Sequence, residues 1–427
     1  MNLKEKKILI LGANPETAGL VIKANELGLD TYVTDYDPKA YAKQFAKHPC
    51  NIDASAVDEL YELAVKEKID GVLVGVAERL LPAYYALCVK LGYPCFGDPD
   101  IFNLMIDKKQ FKSVCRKYDV PVVQEYNFTD YKNDLRKIEL PVVVKPVDSC
   151  SSKGISVCKT YDELEKGVEK ALSFSVSKTI LIEKYMTGDE VVVYYVIQNG
   201  EPTCVAMCDR YTNKEEQRGF AQLPTAYLYP SIYIHKYLAE TDTKVKNMLR
   251  NVGVKNGVLF LQGFIEKDNV RFYEPGFRLN GAQEHYLVSA ITGIDAKELL
   301  INFALTGQMS GDSISTRAKP NFEKLGCKLS PLVKTGRIKQ LSGLDEISEI
   351  KEVVSVNPSY REGDSVDGKG TLKQIVCRFF IVADTAEKMK ETIEQIYQKL
   401  VVLDDDGNSM LLKPFDTSIV TAKYRDF

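Results

Sequence analysis

The sequence predicts a mixed chain: an N-terminal α/β unit with a doubly wound parallel sheet, then an α+β body, then a small α+β unit. Three observations carry this reading. Short apolar runs alternate with helical segments from residue 8 to residue 96. Strand-like runs separated by hairpin signals dominate from residue 122 to residue 274. A last strand, 374–383, precedes an amphipathic helix, 385–400, with Ala386, Met389, Ile393 and Ile396 on one face.

In the first unit, residues 8–11 form an apolar strand, and Gly12-Ala13-Asn14-Pro15 turns it into a helix over 16–27 that Gly28 ends. A second strand, 31–34, runs into Asp35. This order imitates a dinucleotide-binding fingerprint, but Gly12 and Gly19 lie seven apart and G-x-G is missing, so the pattern argues for the sheet and not for NAD. A helix over 57–67, a strand over 71–75, a helix over 79–91 and a short strand over 94–96 complete the unit. Glu78 follows the 71–75 strand, at the edge where open α/β sheets hold ligands. It equally suits the acidic first turn of a helix.

The body opens with Asp107-Lys108-Lys109 and a helix to about residue 118. Val142-Val143-Val144 then delivers Lys145 to the loop Asp148-Ser149-Cys150-Ser151-Ser152-Lys153-Gly154. Small residues leave the backbone N–H groups of such a loop unshielded, and Gly154 can take positive φ. The unit suits a phosphate chain held by amides and one lysine, or an ordinary hairpin with a long loop. It is not a Walker A string. No histidine lies near Cys150, which reads as a small loop residue. A helix over 161–173 follows. A strand ends at Glu183, and Tyr185-Met186-Thr187-Gly188-Asp189-Glu190 turns into a hairpin across Asn199-Gly200. Residues 209–231 read as irregular and Tyr-rich. After a helix over 241–252, strands 258–265 and 270–274 form a hairpin. It sets Gln262 beside Glu274, one amide oxygen and one carboxylate, which suits a hard cation or a solvated hairpin edge. Residues 311–321 read as a linker, and the tail beyond shows no obvious chemistry.

Composition bounds the partners. The 427 residues carry a net charge of −3, with 45% hydrophobic and 27% charged residues, which argues against an electrostatic grip on nucleic acid. Ten cysteines lie scattered without C-x-x-C, and three histidines make a Cys/His zinc site improbable. No apolar run approaches the ~18 residues of a membrane span. No membrane partner, a cytoplasmic location and free thiols are expected.

The ordered set resembles the ATP-grasp superfamily of ATP-dependent carboxylate ligases, which includes biotin carboxylase, the carbamoyl-phosphate synthase large subunit and amino-acid ligases. That set is a βα domain, Asp107-Lys108, strand-borne Lys145 with its small-residue loop, Glu183 to Glu190, and the Gln262/Glu274 hairpin followed by Arg278. The resemblance covers residues 5–310 and extends to the tail. It implies a pre-ATP-grasp domain over 1–103, a two-lobed ATP-grasp domain over 104–310 with a mobile lobe near 120–200, and a C-terminal domain over 311–427.

By position, it implies that Lys108 and Lys145 contact phosphates and that the loop with Ser151, Ser152 and Gly154 closes over them. Glu183 and the Tyr185 backbone would hold adenine, and Glu190 the ribose. Gln262 and Glu274 would bind metal, and Arg278 would steady the γ-phosphate or acyl phosphate. Family members often read E-x-N-x-R, whereas this chain reads Glu274-Pro275-Gly276-Phe277-Arg278, with Asn280 as the shifted candidate for the missing ligand. The implied cofactors are ATP and Mg2+; the partners are a small carboxylate and an amine, with a homodimer compatible. Glu78, and Arg210 just before the aromatic-rich stretch 211–229, stand on the acceptor side. The rival readings are a carbamoyl-phosphate-synthase-like enzyme phosphorylating bicarbonate, and a nucleotide-binding regulatory protein without turnover.

Overall fold

The computed structural model describes residues 3–147, 154–213 and 223–425. Strands β1 (Lys7–Leu11), β2 (Asp30–Thr34), β3 (His48–Cys50) and β4 (Gly71–Val74) form a parallel sheet in the order β3-β2-β1-β4. Ile8 to Leu11 and Val72 to Val74 are buried, as strands covered on both faces require. Strand β3 has no apolar run to announce it. The expected strand at 94–96 is irregular instead. Phe96 there packs edge-on against Phe102 and Phe277, with centroids 5.6 and 5.3 Å apart.

A second sheet carries β5 (Glu125–Tyr126), β6 (Val142–Pro146), β7 (Ser156–Cys158) and β8 (Ile180–Lys184) in the order β5-β8-β6-β7. The helix Tyr161–Phe174 covers it, and a capping box between Thr160 and Glu163 starts that helix. Val142, Val144, Ile180, Ile182, Leu164 and Val168 form a separate small core.

The third sheet is the largest and antiparallel throughout. Its strands are β9 (Glu190–Gln198), β10 (Glu201–Thr212), β11 (Pro224–Tyr229), β12 (Gly257–Glu266), β13 (Asn269–Gly276) and β14 (Leu325–Leu329). The tail adds β15 (Gly336–Arg337), β16 (Gln340–Ser342), β17 (Val353–Pro358), β18 (Ser365–Val366), β19 (Cys377–Ala383) and β20 (Val401–Leu403). The order is β13-β12-β9-β10-β11-β14-β19-β17, with β15-β18 and β16-β20 as separate short pairs. Strands from the tail therefore continue the sheet of the body. The helix Ala386–Lys399 buries Ala386, Met389, Ile393 and Ile396 behind them, the face expected from its periodicity. The stretch expected to be irregular, 209–231, holds the end of β10 and all of β11. Its tyrosines are strand formers, and Tyr227 and Tyr229 are buried.

Candidate active site

The site begins at the helix Lys108–Lys117. Asp107 caps it, accepting from the amides of Lys109 (2.8 Å) and Gln110 (3.0 Å). Lys108 and Lys112 then lie one turn apart on the same side. Lys112 is fully buried and was not singled out from the sequence. On the facing sheet, Glu125 on β5 lies directly opposite Glu183 on β8. Like charges so placed repel, and the Lys112 ammonium enters between them. It pairs with Glu125 at 3.2 Å and makes a short hydrogen bond to Glu183. Arg116 holds the other Glu125 oxygen.

Lys145 reaches Glu183 diagonally from β6, because Val143 is the residue opposite Glu183. Its ammonium lies 2.5 Å from Glu183 Oε2. Both Glu183 oxygens are thus held by lysines. Burial alone would raise the Glu183 pKa, but Lys145 and Lys112 override it and bring it down to about 2. Burial lowers the Lys145 pKa, with Lys108 and Lys112 adding to that and Glu183 opposing it. The Tyr185 amide donates to the Pro141 carbonyl at 2.9 Å. Gly154 has φ +75°, and a Cβ there would press on Pro146 and Phe174, so the loop's last residue must be glycine. Ser151 and Ser152 lie outside the described residues.

Gln262 and Glu274 are direct partners across β12 and β13, as their spacing suggested. Lys108 pairs with Glu274 at 3.1 Å, joining the helix to the hairpin. Arg278 follows, with Nε 3.6 Å from Glu78 Oε1 and one terminal nitrogen donating to the Leu279 carbonyl at 3.0 Å. Burial raises the Glu78 pKa, against Arg278, which lowers it. Burial also lowers the Arg278 pKa, and Glu78, Glu274 and Glu284 oppose this. These residues form one charged neighbourhood, built from the end of β4, the helix at 108 and the hairpin.

Gly276 has a structural reason. It faces Phe260 in register, and a Cβ at 276 would overlap the Phe260 ring. The Arg278 guanidinium carbon in turn lies 5.3 Å from that ring's centroid. Asn280 is buried, and its side-chain oxygen accepts from the Ala282 amide at 2.9 Å. Among the described residues no group of three His, Cys, Asp or Glu is arranged to hold a metal. The Gln262/Glu274 pair still fits Mg2+, which commonly takes one or two carboxylates and completes its shell with phosphate oxygens and water.

Glu190 and Arg210 are opposite residues on β9 and β10 and form a short ion pair. The Tyr273 hydroxyl donates to Glu190 at 2.7 Å, and Arg210 Nε donates to the Tyr227 hydroxyl at 3.1 Å. Arg210 therefore closes on Glu190. Glu284 escaped the sequence reading as well. One of its oxygens is buried without a partner, and burial pushes its pKa up to about 8.

The family described as "Carbamoyl-phosphate synthase L chain, ATP binding domain" matches residues 107–310. The chain carries an ATP-grasp domain. Among curated relatives, the phosphoribosylamine–glycine ligase of Lactococcus lactis is 23% identical over 371 residues, spanning 82% of this chain and 84% of that one. An L-amino acid ligase from Bacillus licheniformis has a similar fold, with TM-score 0.75 and 18% identity over 94% of this chain and 99% of that one. So has the biotin carboxylase domain of Hydrogenobacter thermophilus 2-oxoglutarate carboxylase, solved with MgADP and bicarbonate. Its TM-score is 0.74 and its identity 17%, over 95% of this chain and 91% of that one. The α/β and α+β fold class, the ADP-forming ligase class, and ATP and Mg2+ as cofactors all accord with these comparisons. No helix among the described residues is long and apolar enough to cross a membrane.

Proposed function

We propose that this ATP-grasp protein joins a small carboxylate, such as an amino acid, to an amine or another nucleophile through an acyl phosphate. The carboxylate attacks the γ-phosphate of ATP, releasing ADP. The nucleophile then displaces phosphate. Lys145 and Lys108 neutralise the phosphates, with Gly154 closing the loop that carries Ser151 and Ser152. Glu183 positions Lys145, and adenine contact falls to the backbone near Tyr185. Glu190 serves the ribose, held in place by Arg210. Gln262 and Glu274 would hold Mg2+, which supplies charge neutralisation, with Asn280 as the shifted candidate for a further ligand. Arg278 steadies the transferred group and is oriented by Glu78. No side-chain nucleophile is needed, because positioning and charge dominate phosphoryl transfer.

The observation that carries this reading is the Lys108–Glu274 pair, which brings a phosphate lysine and a metal carboxylate together at the Gln262 register. The test is ADP release from pooled small carboxylates and amines. Accumulation of ADP that requires one carboxylate and one amine supports a ligase, and bicarbonate-dependent ATPase activity alone would replace it with the carbamoyl-phosphate-synthase-like reading. A nucleotide-binding protein without turnover is the second reading. It is favoured by Phe260 lying against Gly276, and nucleotide binding without ADP release would establish it.

The same reading divides the chain into units over 1–103, 104–310 and 311–427, with a mobile lobe near 120–200 supported by its separate core. It also places the protein in the cytoplasm, as a homodimer acting on small molecules.

A further inference from the structure

Two stretches of chain join the small sheet of β5 to β8 to the body. One runs from the helix Lys108–Lys117 to β5, and backbone bonds from Pro121 and Val123 to Phe272 pin it to β13. The other is 185–189, between β8 and Glu190 at the start of β9. It lies close on β12. The Ile265 amide donates to the Asp189 carbonyl at 2.8 Å, and a Cβ on Gly188 would overlap the Ile265 carbonyl.

A further hold on this second crossing comes from the tail. Lys423 ends the helix Ser418–Lys423, and its ammonium lies 2.6 Å from Asp189 Oδ2. The Tyr233 hydroxyl donates to the same oxygen at 2.8 Å. One residue on, the buried Tyr424 hydroxyl donates to Asp209 at 2.9 Å. Ser231 Oγ and the Ile232 amide donate to Asp209 as well. Asp209 is 1% exposed, and burial pushes its pKa up to about 6 against these hydrogen bonds. The Lys423 ammonium also sits 5.2 Å from the Tyr211 ring centroid.

Strand register fixes what stands in front of these contacts. Glu190 and Arg210 are direct partners across β9 and β10. Asp189 and Asp209 each precede one of them, and consecutive strand residues point to opposite faces. The Ser418–Lys423 helix therefore lies behind the Glu190–Arg210 pair. It is rooted in the tail, because Phe415, Val420 and Tyr424 belong to the tail's core. Thr417 Oγ also donates to Glu394, on the helix Ala386–Lys399, at 2.8 Å.

We propose that Lys423 and Tyr424 are positioning residues for the nucleotide. They clasp the 185–189 crossing from behind and so hold Tyr185, Glu190 and the lobe in the arrangement that receives it. That role rests on the proposed nucleotide site; the clasp itself does not. The tail then takes part in nucleotide binding without touching the nucleotide.

The test makes two measurements on the full-length protein. Amide hydrogen exchange without nucleotide follows residues 185–190, and calorimetry with Mg2+ and a non-hydrolysable ATP analogue follows affinity. In Lys423→Met, exchange over 185–190 should quicken while exchange in the helix Tyr161–Phe174 stays as it was. The analogue should bind about threefold to tenfold more weakly, the scale of one partly buried ion pair. Lys423→Arg should restore both. Asp189→Asn should match Lys423→Met, and the double variant should be no worse than either alone, because both remove one interaction. Tyr424→Phe leaves Asp209 to Ser231 and Ile232 and should act in the same direction. A tail that only stabilises the fold would lower the melting temperature in these variants and leave exchange and affinity unmoved well below it. Unchanged exchange in Lys423→Met would overturn the clasp. Faster exchange with unchanged affinity would overturn its role in nucleotide binding. A wild-type protein that binds no analogue would overturn the nucleotide site instead, with the clasp still decided by exchange.

Discussion

The Phe260 ring occupies the volume that a side chain at Gly276 would need. The departure from E-x-N-x-R is therefore built into the packing, and restoring asparagine alone should fail. Gly276→Asn is expected to cost about 1–3 kcal/mol, as overpacking does, without tightening Mg2+. Adding Phe260→Ala should relieve the overlap. Thermal unfolding and Mg2+ titration of both variants check this. A fully stable Gly276→Asn single variant would show that the ring yields freely.

Glu274 is the charged member of the metal pair, and Lys108 balances it in the structure. Glu274→Gln keeps the shape and removes the charge, so Mg2+-dependent ADP formation should fall by about two orders of magnitude. Gln262→Glu should be milder and should lower the Mg2+ concentration needed. Unchanged magnesium dependence in Glu274→Gln would make Glu274 a simple strand-end acid.

Lys145→Ala should weaken ATP binding strongly in a protein that still folds, since the lysine alternates with Val142 and Val144 and points away from their small core. It also releases Glu183, which keeps Lys112. Wild-type nucleotide affinity in this variant would remove Lys145 from the phosphate site.

The Glu183 pKa is depressed from 4.5 to about 2. The unfolded chain therefore binds the proton first as pH falls, and the stability that the ionised carboxylate gives above about pH 4.5 is lost between there and about pH 2. Glu183→Gln should flatten that acid limb in denaturation curves. Glu284 has the opposite sign, raised from 4.5 to about 8. The folded state keeps its proton longer, so stability falls as pH rises from about 4.5 to 8. Glu284→Gln should be the more stable protein at pH 8, and near equality at pH 4. An acid limb unaltered by Glu183→Gln would mean that its lysines do not hold the carboxylate ionised.

The parts legible in the sequence were local. Gln262 and Glu274 are twelve apart on one hairpin, so register alone predicted their pairing. Lys145 ends an apolar strand, and the Asp107 cap marks the helix that carries Lys108. The parts not legible arise where distant segments meet. Lys112 looks like any helical lysine until β5 and β8 set two carboxylates against it. Arg378 and Glu16 are 362 residues apart and meet only because β19 joins the body's sheet. The tyrosines of β11 read as a loop because one of their two partner strands, β14, comes from far along the chain. Glu190 and Arg210 were each singled out, but their mutual ion pair appears only with the β9–β10 register.

The central claim is that a carboxylate is activated as an acyl phosphate, and oxygen transfer tests it most directly. Carboxylate substrates labelled with oxygen-18 are incubated with the amine, Mg2+ and ATP, and the released phosphate is examined by mass spectrometry. Acyl phosphate chemistry delivers one carboxylate oxygen to phosphate, so each turnover should yield singly labelled phosphate. Unlabelled phosphate accompanying ADP release would contradict the account.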